Sequence, residues 1–110
     1  MHKFFLLFVT LLFTLRAIAG GTETVEIKTS AICGECKERI EKAVFEINGV
    51  KSAKLDLKTK VLTVKFSPDK TTVSAIREKV SKAGYDADDL KADKAAFEAL
   101  PACCQMDLGY

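Results

Sequence analysis

Hydrophobic residues change their spacing along the chain, and each change marks the start of a predicted element. Valine and isoleucine alternate with charged residues at Val25 and Ile27, which indicates a strand with one exposed face. Apolar side chains then recur every three or four positions, at Ile40, Val44 and Ile47, which predicts an amphipathic helix. The chain therefore passes from a half-buried strand into a helix, with only a short turn between them.

A hairpin and a second helix are predicted after Asn48 and Gly49, a pair suited to end the first helix. Apolar residues alternate in both strands of the hairpin: Ala53, Leu55 and Leu57 in the first, and Leu62, Val64 and Phe66 in the second. The polar residues 58–60 connect these strands. Thr71 or Thr72 can cap the second helix, which Gly84 ends.

An extended segment over residues 85–90 completes the order β-α-β-β-α-β. That order is the split β-α-β arrangement of ferredoxin-like α+β domains, in which two helices cover one face of a four-stranded antiparallel sheet. The fourth strand should end far from the first strand-to-helix turn. Asp93 then caps a predicted eight-residue helix that Pro101 ends, and this helix with a few extended residues spans about the height of a strand, ~20 Å.

Four cysteines form two pairs that this arrangement can bring to one end of the domain. Cys33 and Cys36 lie at the strand-to-helix turn, where both sulfurs converge outside the core and the helix N-terminus favours thiolate. Cys103 and Cys104 reach the same level if the tail helix packs along the domain, and they are then candidates for additional metal ligands that would bring the site to three or four thiolates. The alternative is a frayed tail. A disulfide between the pairs is a further alternative. Tyr85 is a candidate neighbour of the cysteines, or a core residue.

Two thiolates on one helical turn suit either a soft metal ion or dithiol-disulfide chemistry. Two sulfurs alone match the low coordination numbers of Cu(I) and Hg(II), whereas Zn(II) and Cd(II) call for more ligands. Glu35 is a candidate ligand or simply a first-turn acid favourable to the helix dipole, and Met106 is a further soft candidate. A thiol-disulfide oxidoreductase is the competing function, but no tryptophan precedes the C-x-x-C. A structural domain with oxidised cysteines is the third hypothesis.

The first nineteen residues predict a cleavable secretory signal, with a basic start, an apolar run and small residues before the cut after Ala19. Two of the 17 basic residues and none of the 15 acidic residues lie in it, so the remaining chain carries 15 of each. A neutral chain does not favour nucleic acid as a partner. We therefore expect an exported protein, periplasmic or secreted, with one small domain over residues 20–90 and a helix and Cys-containing tail over residues 91–110.

Residues 24–90 resemble a heavy-metal-associated domain, the fold of copper chaperones, periplasmic mercuric-ion binding proteins and the N-terminal modules of metal-exporting ATPases. The matching motifs are the C-x-x-C, NGVKSAKLDL, LTVKF and AGYDA. Ser30, Ala31 and Ile32 depart from the Gly-Met-Thr or Gly-Met-Asp of the family. The resemblance implies a monomeric, non-enzymatic protein that binds a soft metal ion, with Cu(I) favoured, through Cys33 and Cys36. It also implies transfer to a metal-transporting membrane protein or another thiolate-bearing acceptor.

Overall fold

Two helices pack on a three-stranded sheet, and two short helices form the C-terminal tail. The computed structural model describes residues 21–105, so the predicted signal over residues 1–19 and the candidate ligand Met106 lie outside the described residues. The elements are β1 (Glu23–Lys28), α1 (Gly34–Phe45), β2 (Val50–Asp56), β3 (Val61–Phe66), α2 (Val73–Lys82), α3 (Lys94–Glu98) and α4 (Ala102–Gln105). Across residues 21–105, no helix is long and apolar enough to cross a membrane.

The sheet is antiparallel, and β3 lies between β1 and β2. Leu62 of β3 lies opposite Ile27 on one side and Leu55 on the other, and all three are buried. Directly opposed residues of antiparallel strands share one face, so these side chains form the apolar face that the helices cover. The predicted hairpin is confirmed, except that Leu57 lies beyond the end of β2 and is exposed.

The two long helices close the core over this face. Buried residues at helical spacing come from both of them: Ile40 and Val44 from α1, and Ile76 and Val80 from α2. Thr72 caps α2, because its hydroxyl accepts a hydrogen bond from the Ala75 amide at 3.1 Å. Gly84 follows α2 with φ +106°, a left-handed conformation that glycine adopts without strain. Both predicted helices are therefore confirmed.

The predicted fourth strand over residues 85–90 is not present; a single antiparallel bridge joins Thr29 and Ala87 in its place. Asp88 accounts for the difference, because its φ of +54° interrupts the extended backbone. Its Oδ1 also accepts the hydrogen bond of the Lys28 amide at 2.8 Å, which a neighbouring strand would otherwise accept. The architecture is α+β and consistent with a ferredoxin-like domain, with three strands in the described residues.

The C-terminal tail starts beside the end of α2, not at the far end of the sheet as predicted. The Asp93 amide donates to the Ser81 carbonyl at 2.9 Å, and the Ser81 hydroxyl donates to the Lys91 carbonyl at 2.7 Å. The tail helix α3 has five residues instead of eight. Cys103 and Cys104 lie in the separate helix α4, where extended chain was predicted. Because the described residues form no fourth strand, the tail does not have to run back along the sheet to reach Cys33 and Cys36.

Replacing Asp88 by alanine should lower the free energy of unfolding by about 2 kcal/mol. The change removes the hydrogen bond to the Lys28 amide and places alanine in left-handed backbone. Asp89→Ala removes the same charge from the exposed neighbour and should change stability by less than about 0.5 kcal/mol. Urea denaturation of both variants makes the comparison. Equal losses would show that Asp88 does not hold this edge of the sheet.

Candidate metal site

The turn between β1 and α1 brings the two sulfurs of the C-x-x-C together. Cys33 is the N-cap of α1 with extended backbone, φ −148° and ψ 170°, and its carbonyl accepts a hydrogen bond from the Lys37 amide at 3.0 Å. Cys36 lies in the first turn of the helix. The two Sγ atoms are 3.2 Å apart, and both thiols are free. A disulfide bond would bring them to about 2.05 Å.

Cys36 belongs to the hydrophobic core, so the expectation that both sulfurs lie outside it was wrong. Cys36 is fully buried, whereas Cys33 is half-buried. The reason is the helical period: Cys36, Ile40 and Val44 are four residues apart and form the buried face of α1. Extending that spacing backward by one turn from Ile40 could have identified the position from sequence. A substitution at Cys36 therefore changes packing as well as chemistry.

The C-terminal cysteines lie against Cys33. The Sγ atom of Cys33 is 3.9 Å from that of Cys103 and 3.8 Å from that of Cys104, and the last two are 3.9 Å apart. These three sulfurs form a nearly equilateral triangle. An ion at its centre would be about 2.2 Å from each sulfur, close to the metal-thiolate bond length of about 2.3 Å. The triangle can therefore hold a soft ion with little movement.

Packing holds the tail in this place. Leu100 is buried, and a Cβ atom on Gly84 would lie 3.1 Å from its Cγ and Cδ1 atoms, so glycine permits the close approach. The Gln105 side-chain nitrogen lies 2.9, 3.1 and 2.8 Å from the carbonyl oxygens of Phe97, Glu98 and Leu100, and its two N–H groups are shared among them. These carbonyls lie at the end of α3, where backbone acceptors outnumber donors, although that of Phe97 also accepts from the Leu100 amide. Sequence reasoning missed Gln105, because no motif marks it.

The thiols of Cys36 and Cys104 influence each other's protonation. Burial acts to raise the pKa of Cys36, but the Cys104 thiol, the Ile32 backbone, the Tyr85 hydroxyl and the Cys33 thiol together favour the thiolate and lower that pKa to about 7. Burial, followed by the neighbouring Cys36, raises the pKa of Cys104 to about 12. Of this pair, Cys36 therefore ionises first, while Cys104 keeps its proton at neutral pH.

Tyr85 lies in the core behind the sulfurs, so it is both a neighbour of the cysteines and a packing residue. Its side chain is 1% exposed, and its hydroxyl lies near the thiols of Cys36 and Cys104 but makes no hydrogen bond of ordinary geometry within residues 21–105. Burial first, and then the nearby thiols of Cys104 and Cys36, raise the pKa of the phenol. The Tyr85 hydroxyl is therefore a neutral group in the wall of the site.

Glu35 contacts the tail through a hydrogen bond. Cys103 Sγ donates to Glu35 Oε2 at 3.2 Å, and this bond is the main cause of the raised pKa of Cys103. Arg39 lies one turn further along α1, and its Nη2 atom is 3.6 Å from Glu35 Oε1, the other carboxylate oxygen. The sequence indicated Glu35 as a ligand candidate or a helix-dipole acid; a partner 68 residues away left no local signal.

Comparisons with known proteins identify the family of the domain that carries the C-x-x-C. The heavy-metal-associated domain family model matches residues 26–86, which include the C-x-x-C but not the tail. The mercuric transport protein periplasmic component of Shewanella putrefaciens is 38% identical over 73 residues, 66% of this chain and 79% of that protein. A copper-exporting P-type ATPase of Staphylococcus saprophyticus is 36% identical over 81 residues, which are 71% of this chain but 10% of the ATPase. The solved structure of the CopZ metallochaperone has a TM-score of 0.58 at 29% identity and covers 59% of this chain and 98% of that one.

In the reduced, metal-free protein at neutral pH, Glu35→Gln should speed alkylation of Cys103 several-fold. The neutral amide favours the protonated thiol less than a carboxylate does, so the pKa of Cys103 falls and more thiolate is present. Peptide mapping after timed iodoacetamide treatment measures the rate. Glu38→Gln, an equal charge change at an exposed position on the same helix, is the control and should leave the rate unchanged. Identical rates in both variants would contradict the Glu35 contact.

Proposed function

Because the chain belongs to the heavy-metal-associated domain family, we propose that it binds one soft metal ion through Cys33 and Cys36, without enzymatic turnover. The observation that carries this proposal is the pair of sulfurs 3.2 Å apart at the first turn of α1, inside the residues that match the family. Thiolates select soft ions, and the positive end of the helix dipole favours the thiolate form. Tyr85 and the surrounding core limit the access of water to the sulfurs from one side.

Cu(I) is the ion that we favour, followed by Hg(II), with Zn(II) and Cd(II) as further candidates. Two sulfurs match the low coordination numbers of Cu(I) and Hg(II). The names of similar proteins support both, since one is a mercuric transport protein and others are a copper-exporting ATPase and a metallochaperone. Cu(I) comes first because several of the similar proteins are named as copper exporters.

Thiol-disulfide exchange is the competing function, and the geometry supports it less. An attacking thiolate must reach the disulfide of its substrate. The cysteine whose pKa is lowered to about 7 is Cys36, and that side chain is fully buried. The half-buried Cys33 is instead surrounded by other thiols of the same chain.

We further propose that the protein is exported and passes its ion to an acceptor that carries thiolates, such as a metal-transporting membrane protein. The predicted signal over residues 1–19 and the similarity to a periplasmic component support export. Transfer between thiolates proceeds by ligand exchange, which needs a sulfur that the acceptor can approach. Charged residues surround the turn and can orient the partner: Glu35, Lys37, Glu38 and Lys58. A neutral mature chain gives no support to nucleic acid binding, and we expect a monomer.

Cys33→Ser should weaken Cu(I) binding at least about a hundredfold, roughly 2.7 kcal/mol, since it removes a thiolate shared by every sulfur contact of the turn. Competition with a chromophoric Cu(I) chelator under anaerobic, reducing conditions measures the affinity. Ser74→Ala, at an exposed position on α2, is the control and should bind as the parent does. Parent-like affinity in Cys33→Ser would place the metal site elsewhere.

Delivery to a partner can be recognised from the rate at which the ion leaves. Cu(I) should leave the protein faster toward a dithiol protein domain than toward a small chelator of equal affinity, because an acceptor thiolate can bond to the ion before the donor bonds break. Stopped-flow mixing of the loaded protein with each acceptor measures the two rates. Equal rates would favour storage or scavenging over delivery.

A further inference from the structure

The tail carries two thiols that the family match does not include, because that match ends at residue 86. We propose that Cys103 and Cys104 join Cys33 in a three-thiolate site. This inference rests on the proposed metal-binding function and extends it to an ion with three sulfur ligands. Such an ion is trigonal Cu(I), or an ion that binds a fourth ligand besides these three sulfurs. Cys36, whose sulfur is 3.2 Å from that of Cys33, is the available fourth ligand.

The spacing of the sulfurs is the first support for this site. Two thiolates on opposite sides of an ion lie about 4.6 Å apart, twice a metal-sulfur bond of about 2.3 Å. Cys33 and Cys36, at 3.2 Å, must move apart to reach that geometry. Cys33, Cys103 and Cys104 are already separated by 3.8 to 3.9 Å, the spacing of three ligands around one ion. In the structure, the triangle is therefore closer to a metal-binding geometry than the pair is.

The docking of the tail is the second, independent support. Cys104 is 3% exposed, and Leu100 is packed against Gly84, so these two residues of the tail belong to the core. The Gln105 side-chain nitrogen connects α4 to α3, since it lies within hydrogen-bond distance of three carbonyl oxygens there. A tail that is ordered before the ion arrives loses little further conformational entropy on binding. The thiols of the tail can therefore add affinity at a small entropic cost.

Binding exchanges protons for the metal and involves no change of oxidation state. The thiols of Cys33, Cys103 and Cys104 bind as thiolates, and any protons that they carry pass to solvent as the metal-sulfur bonds form. Cys103, the exposed member, also gives up its hydrogen bond to Glu35. The ion then has three ligands from one chain, and an acceptor must displace the tail before it can take the ion. The tail should therefore slow the loss of metal to other thiols.

The test uses Cu(I) as the probe and X-ray absorption spectroscopy to count sulfur ligands in the reduced protein. The parent should show three sulfurs. The double variant Cys103→Ser/Cys104→Ser should show two and bind Cu(I) at least about tenfold more weakly, ~1.4 kcal/mol. Ala102→Ser is the control, because it adds a hydroxyl to an exposed position of α4 and keeps every thiol. It should match the parent in both measurements.

A second readout needs no variant, which matters because Cys104 is buried and its replacement can loosen the tail. Cys103 is exposed, so iodoacetamide should label it in the metal-free protein. One equivalent of Cu(I) should slow that labelling at least about tenfold if the sulfur is a ligand. Unchanged labelling, together with two sulfurs in parent and double variant alike, overturns the three-thiolate site and leaves the proposed function in place. Failure of the parent to bind Cu(I) at all overturns both.

Discussion

The position of Cys33 as the N-cap of α1 is the constraint on which the proposed site depends. An N-cap residue keeps an extended backbone while its carbonyl already accepts the first helical hydrogen bond. Its side chain therefore stays outside the helix, whereas Cys36, three residues later, follows the helical period into the core. The Cys33 sulfur is left at the meeting point of the turn and α4, within 3.2 to 3.9 Å of three other sulfurs.

Core packing holds the residues around the Cys33 sulfur in place. Cys36, Cys104 and Tyr85 are all buried, and polar groups in such a place destabilise the fold unless they find partners. The two thiols are partners for each other: their contact lowers the pKa of Cys36, to about 7, and helps raise that of Cys104, to about 12. The Tyr85 hydroxyl has no such partner among the described residues. Packing also sets the spacing of proposed ligands before an ion binds, such as the 3.8 Å between the sulfurs of Cys33 and Cys104.

The irregular edge of the sheet decides where the tail begins. A regular fourth strand would have carried the chain along the whole edge of β1, about 20 Å away from the turn. Instead, the Asp88 side chain accepts the hydrogen bond of the Lys28 amide, and the Asp93 amide donates to the Ser81 carbonyl at the end of α2. A helix of only five residues then suffices to place α4 beside Cys33. One residue in left-handed backbone thus shortens the path between the two cysteine pairs.

The sequence by itself determined the strands of the hairpin, the two long helices and the convergence of Cys33 and Cys36, because these follow from backbone periods that act over three or four residues. The burial of Cys36 could also have been predicted from the sequence, since Cys36 continues the four-residue spacing of the buried positions of α1. Only the tertiary structure decided that Asp88 replaces a strand, and that Cys103 lies 3.9 Å from a sulfur 70 residues earlier in the chain. Contacts at that separation depend on which surfaces pack together, and no local period of the chain encodes them.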